Sequence, residues 1–446
     1  MKKYVIVALA CLVSVSFAKE RYKDRMFDVT VKRDVVYASD VKHLKTANTL
    51  LSLYNAYAKT DGGMPVYLYE NETDLTTIDL HMDIYQPKKD SEKKRAAVLV
   101  MHGGAFAAGS KNDYDQHTVT YCDSLAARGY VTVAVQYRLG ITAVVKNKAL
   151  TIDSLDFSRT VYRGIQDVRA AVRYVRNHAD ELGVDPGRIY LIGNSAGAIL
   201  TLENIYMDKD SEIPAAAKTK PALGGLDEYG EQGTNAQANA VAALWGAVHD
   251  PKIIEDVSKP VLLVHGKADS TVLFKTGRPL GNIANVLKNV MPDAAAVLSS
   301  YAFHVNTPTL YGSYVIDSVL TAKGVAHETY FVDGQPHEFY DYDDYDVKVQ
   351  KKVFDFLYAQ TQKPAGSERI VVALTRPAAL RMGENNQSFT VASGNNLAYA
   401  VTDLRGRTVK NGAVSAGETV ELTDLERGVY VLRVKGERPI RFGLSK

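Results

Sequence analysis

From about Ala96 onward, apolar runs rich in Val, Ile, Leu and Tyr alternate with stretches whose apolar positions recur at helical spacing. AAVLVMHGG leads into a helical stretch through SLAARG, YVTVAVQYRL into IQDVRAAVRYVRNHADELG, and RIYLIGNSAG into another helix-like segment. This alternation predicts parallel strands joined by crossover helices. AVAALWGAVHD, PVLLVHGKADSTV and HETYFVDGQPH continue the series. Each is a near-continuous apolar run, which predicts a strand buried on both faces. The small, polar and ionisable residues gather at the carboxyl ends of these runs, where open α/β sheets form their crevices.

Two long stretches interrupt the pattern, roughly Asp208 to Ala238 and Phe274 to Tyr314. Long excursions in a compact domain are commonly functional loops, and these two are expected to wall a pocket. After the helical VQKKVFDFLYAQ, the composition shifts to a linker-like TQKPAGSE. Short alternating runs follow, such as SFTVA, AYAVTD, ETVEL and VYVLRV, separated by turns. The expected organisation is a catalytic α/β domain over 19–362, a linker over 363–368 and a small all-β sandwich over 369–446. The acidic run from Asp341 to Asp346 reads as a helix start favoured by the macrodipole rather than as a calcium site.

The amino terminus begins MKK, continues through an apolar run and reaches the small residues Ser16 and Ala18. This is the layout of a signal peptide over 1–18. The apolar stretch from Tyr4 to Ala18 is shorter than the roughly 20 residues that a membrane helix requires, so no stable span is expected. Cleavage would remove Cys11 and leave Cys122 alone, without an internal disulfide. Cys122 shares a helical face with Val119, Leu125 and Ala126 and reads as a small buried hydrophobe. The 53 basic and 51 acidic residues nearly cancel, and no basic cluster is present, which argues against a nucleic-acid partner.

Gly193-Asn194-Ser195-Ala196-Gly197 lies between the strand-like RIYLI and the helix-like AILTLENIYM. Strand, sharp turn and helix together form a nucleophile elbow, whose small flanking residues leave room for a strained serine. A serine hydroxyl needs a base, and the base needs an orienting acid. Asp269, just past PVLLV, and His337, just past ETYFV, supply them in the order Ser, Asp, His. His102-Gly103-Gly104-Ala105-Phe106 follows another strand and provides close-approaching backbone amides. Gly104 and Ala105, with the residue after the nucleophile, Ala196, are expected to form the oxyanion hole. Glu338 and Asp333 are possible substitutes for the acid, while His265, His102 and Trp245 read as packing residues.

HGGAFAAGS, VDPGRIYLIGNSAGA and HGKADSTV resemble the esterase and lipase branches of the α/β-hydrolase superfamily over roughly residues 70–360. The resemblance implies the α/β-hydrolase fold, a mostly parallel sheet flanked by helices, and serine carboxylic-ester hydrolysis without a cofactor or metal. HGGAF is close to the HGGG-type motif of hormone-sensitive-lipase-like enzymes and carboxylesterases, with Ala105 replacing the third glycine. HGKAD departs from the Asp-Pro-Leu pattern of that branch and is more similar to acetyl and feruloyl esterases acting on plant polysaccharide. The closing segment, with DLRGRTV and GVYVLRV, resembles the carboxyl-terminal sorting domain of type IX secretion. It implies an export-machinery partner and a secreted or cell-surface protein. A lipid esterase, a serine peptidase and a noncatalytic surface-binding protein are the alternatives at this stage.

Overall fold

The computed structural model describes residues 19–48, 65–112, 117–255, 257–281, 302–341, 344–363, 380–382, 387–391, 397–403, 407–434 and 440–444. The expected signal peptide, most of the linker and residues 282–301 of the second long stretch lie outside them.

The largest sheet has eight strands: β1 (Val29–Leu44), β2 (Leu75–Pro87), β3 (Arg95–Met101), β4 (Val131–Val135), β5 (Val184–Asn194), β6 (Ala240–Leu244), β7 (Val261–Gly266) and β8 (Glu328–Val332). Their spatial order is β1-β2-β4-β3-β5-β6-β7-β8. β2 is antiparallel to β1 and β4, and the remaining neighbours are parallel. The flanking helices are α1 (Thr118–Ala126), α2 (Ser154–Asn177), α3 (Ala196–Tyr206), α4 (Ser313–Ala322) and α5 (Tyr345–Thr361).

The continuous apolar runs follow from coverage of both sheet faces. Along β3, Ala97, Leu99 and Met101 enter a core shared with α2 and α3, whereas Ala96, Val98 and Val100 enter one shared with α1 and α5. Successive strand side chains point to opposite faces, so with both faces covered there is no polar position to alternate with. Full burial of each Leu or Val contributes about 1.5–3 kcal/mol. Cys122 is buried in the α1 layer, as expected. β8 departs from expectation: as an edge strand it is exposed or half-buried along its length.

α2 starts at an N-cap, with the Asp153 side chain accepting from the Leu155 amide at 2.8 Å. Its Gly164 lies where a Cβ would stand 2.8 Å from a Leu200 methyl, allowing α3 to pack closely beneath. All eleven residues of α3 are buried. The stretch from Asp208 to Ala238 is laced to α2 along its length, a packed strap rather than a free-standing lid. The Arg159 guanidinium donates to the Ala216 and Pro221 carbonyls at 3.0 and 2.6 Å, and Gln166 donates to those of Leu223 and Gly225 at 2.9 and 2.8 Å. Farther along, Arg169 and Arg173 pair with Asp227, and Arg176 reaches the carbonyls of Asn235 and Gln237.

Toward the carboxyl terminus, strands Leu380–Met382, Ser388–Val391 and Thr419–Glu421 form one antiparallel sheet. Thr408–Val414, Leu397–Asp403, Gly428–Val434 and Ile440–Leu444 form a second. Phe389 and Val391 from the first share a core with Val401, Val414, Leu432, Val434 and Phe442 from the second. This is the expected small all-β unit. α5 begins at Tyr345 with Asp346 in its first turn, consistent with the acidic run as a helix start.

Candidate active site

Three loops at the carboxyl ends of β5, β7 and β8 meet at one point. Ser195 sits between β5 and α3 with φ 53° and ψ −114°, a conformation L-residues rarely adopt. The turn has no space for larger neighbours. A Cβ on Gly193 would stand 2.3 Å from the Gly197 carbonyl oxygen, and one on Gly197 would stand 2.4 Å from that of Met101. The Ser195 amide is tied to the Leu244 carbonyl at 3.0 Å. Beside it, the indole N–H of fully buried Trp245 donates to the Asn194 side chain, and its ring meets His337 edge-on at 6.3 Å. Trp245 is therefore core, as expected, but it is the core directly behind the elbow.

The Ser195 hydroxyl is 2.8 Å from His337 Nε2, and His337 Nδ1 is 2.6 Å from Asp269 Oδ2. The three side chains expected to converge do converge. A serine O–H donating to Nε2 and an Nδ1–H donating to the carboxylate fix one imidazole tautomer. The other carboxylate oxygen, Oδ1, accepts from the Thr271 and Val272 amides at 2.8 and 2.9 Å. Burial opposes the charge of Asp269, but bonds from His265 and His337 outweigh it and hold the carboxyl at about 2. Burial likewise opposes the charged form of His337, yet Asp269, through its hydrogen bond and its charge, raises the imidazole above its ordinary value, with Glu338 adding to the effect. Asp269, not Glu338, occupies the acid position: Glu338 lies on the opposite side of the ring, 3.9 Å from Nε2. Asp333 instead pairs with Lys267 at 2.9 Å.

Gly266 is required where the acid loop meets the histidine loop. A Cβ there would stand 2.3 Å from the carbonyl oxygens of both Gln335 and Pro336. The Lys267 amide donates to Val332 at 2.9 Å and the Ala268 amide to Gln335 at 3.0 Å, which fastens the two loops together.

Across the cleft, Gly104, Ala105 and Phe106 have φ of 101°, 53° and 62°. The Ala107 and Ala108 amides bend back onto the Gly104 carbonyl at 3.0 and 2.8 Å. Gly104 admits no side chain, because a Cβ would stand 2.2 Å from the Ala108 oxygen. Ala196, first residue of α3, has no intrahelical carbonyl for its amide. His102 stacks on Tyr137 at 4.3 Å and is fully buried. Burial lowers its pKa to about 4, against the opposing bond to the Gly103 carbonyl, so the ring is neutral at physiological pH. Its Nδ1–H donates to that carbonyl at 2.7 Å, and the Tyr137 hydroxyl donates to the His102 carbonyl at 2.9 Å. His102 thus packs, as expected, and also sets the shape of the glycine loop.

Sequence reasoning gave His265 a packing role, but it touches the acid: Nε2 lies 3.1 Å from Asp269 Oδ2. Its position four residues before Asp269 was the available signal. Among the described residues, no cluster of three or more His, Cys, Asp or Glu side chains could hold a metal ion. No helix among them is long and apolar enough to cross a membrane.

Residues 82–246 match the family model described as BD-FAE, and residues 385–440 match the secretion system C-terminal sorting domain. Neuroligin-like protein glit-1 of Caenorhabditis elegans is 34% identical over 121 residues, covering 27% of this chain and 15% of that protein. Fumonisin B1 esterase of Sphingopyxis macrogoltabida is 34% identical over 121 residues, covering 27% of this chain and 21% of the relative. Arylacetamide deacetylase-like 2 of Homo sapiens is 30% identical over 170 residues, covering 36% of this chain and 38% of the relative. The chain thus spans well under half the length of each of these curated relatives. Among solved structures, the apo form of Thermogutta terrifontis esterase 2 is similar at 22% identity and a TM-score of 0.41, covering 64% of this chain and 90% of that one. Over residues 82–246 the chain is thus similar to the BD-FAE esterase domains, and over residues 385–440 to the secretion-system C-terminal sorting domains.

Proposed function

We propose that the chain is an exported serine carboxylic-ester hydrolase working through an acyl-enzyme. The observation that carries this reading is the unbroken hydrogen-bond path from Ser195 through His337 to Asp269. In the first step His337 Nε2 takes the Ser195 proton as the oxygen attacks the ester carbonyl. The Gly104, Ala105 and Ala196 amides receive the oxyanion, each donor contributing roughly a hundredfold or more. The imidazolium, stabilised by Asp269, returns its proton to the leaving alcohol. Water, activated by the same histidine, then releases the acid. The residues named account for each proton without a metal or cofactor.

The substrate class we favour is an acetyl or feruloyl ester on plant polysaccharide. It is supported by the HGKAD segment and by the sorting-domain match, which suits a protein handed to export machinery and acting on a polymer outside the cell. The proposed layout is a signal peptide over 1–18, a catalytic domain over 19–362, a linker over 363–368 and a sorting domain over 369–446. Release of acetate or ferulate from xylan, measured beside a panel of p-nitrophenyl esters and the Ser195→Ala variant, tests the reading. Hydrolysis abolished by Ser195→Ala is expected, and activity confined to lipid esters would overturn the substrate class.

A further inference from the structure

We propose that His265 is a positioning residue for the acid, part of a second polar arm that runs from Ser313 through His265 to Asp269 and meets the arm from Ser195. The inference rests on the reading of Ser195, His337 and Asp269 as the reacting group.

His265 is the penultimate residue of β7, and its side chain is fully buried. Nε2 lies 2.9 Å from the Val272 carbonyl and 3.1 Å from Asp269 Oδ2, and Nδ1 lies 2.8 Å from the Ser313 hydroxyl at the start of α4. A carbonyl and a carboxylate can only accept, so Nε2 carries the ring proton, which it donates to the Val272 carbonyl while lying against the Asp269 carboxylate. Nδ1 is then free to accept from Ser313. The tautomer is set by its surroundings, as it is for His337.

The consequence falls on Asp269. Oδ1 is pinned by two backbone amides, Oδ2 is bonded to His337, and His265 Nε2 lies 3.1 Å from the same oxygen. These contacts hold the carboxylate toward His337. A packing role alone would need only a side chain of similar volume, such as the Phe274 ring that meets His265 edge-on at 5.5 Å. The donor at Nε2 does something packing cannot: it withdraws negative charge from Asp269 and so limits how strongly the carboxylate holds the His337 imidazolium. His337 faces two other charged groups, Asp269 at Nδ1 and Glu338 on the Nε2 side. Both raise its affinity for a proton, and the His265 donor moderates the larger of the two effects.

The test is a comparison of His265→Leu, His265→Gln and Ser313→Ala in the full chain. The His337 ring is titrated by NMR, with its resonance assigned through His337→Gln, and kcat and KM on p-nitrophenyl acetate are followed against pH. His265→Leu should raise the His337 titration and the acid limb of kcat/KM together by about half a pH unit or more, with kcat falling roughly tenfold and KM little changed. His265→Gln, whose amide can reach the Nε2 position and donate, should return both toward wild type. Ser313→Ala should shift them in the same direction as Leu but less. Leu and Gln variants that titrate alike, or a Leu variant with the wild-type titration, would overturn the proposal. If the wild type hydrolyses no ester, the esterase reading falls while the NMR titration still decides this one.

Discussion

Replacing Asp269 by Asn separates charge from shape at the centre of the site. The amide oxygen can keep the two backbone bonds that Thr271 and Val272 now make to Oδ1. The new NH2 would face His337 Nδ1 and His265 Nε2, both donors today. Donor against donor is untenable, so His337 takes the other tautomer, placing its proton on Nε2 opposite the Ser195 hydroxyl. The base is then lost although every atom stays near its place. The expected loss in kcat is about 10³–10⁴-fold, equivalent to about 4–5.5 kcal/mol of transition-state stabilisation. Stability changes as well. The carboxyl titrates at about 2 in the fold against an ordinary 3.8, a charge contribution of about 2 kcal/mol. Because the folded value is depressed, that contribution is complete above pH 3.8 and fades as pH falls toward 2. Urea unfolding should therefore show the variant less stable at pH 7, with the gap closing near pH 2, while p-nitrophenyl acetate kinetics report the loss of turnover. An Asn variant within tenfold of wild-type kcat would refute the tautomer reasoning.

Two further outcomes follow from contacts around the same ring. Gly266→Ala should push the histidine loop outward, since its new carbon meets two backbone oxygens at 2.3 Å that cannot swing aside. An activity loss of at least ~100-fold in ester turnover is expected, with about 1–3 kcal/mol lost in denaturant unfolding. Glu338→Gln removes a negative charge 3.9 Å from Nε2 that favours the imidazolium. The His337 pKa should fall, and the acid limb of kcat/KM should move to lower pH by a few tenths of a unit up to about one.

The parallel half of the sheet was readable because both of its faces are covered, which leaves unbroken apolar runs such as AVLVM and VLLV. β1 and β2 were not read as strands. β1 breaks register between Lys32 and Val35 and again between Ala38 and Val41, with Asp34 and Asp40 at positive φ. These bulges disrupt the period of two that would have betrayed it. The convergence of Ser195, Asp269 and His337 was legible because each follows a strand and their chain order is the one expected of a nucleophile, acid and base on this fold. The contact of His265 with Asp269 was not legible for a different reason: the VHG context looks the same with or without it, and only the turn that brings Asp269 and Val272 back to the ring creates it. The stretch from Asp208 to Ala238 read only as a long loop because its own residues are irregular. The order comes from the arginines of α2, whose side chains reach backbone carbonyls along the stretch.

Covalent capture of the nucleophile bears most directly on the account. The full chain, treated at neutral pH with an aryl alkylphosphonate ester and digested, should yield one modified peptide, carrying the phosphonyl group on Ser195 at one equivalent per chain, with ester hydrolysis lost in parallel. Labelling at another residue, or a wild-type protein that hydrolyses esters while Ser195 stays unmodified, would contradict it.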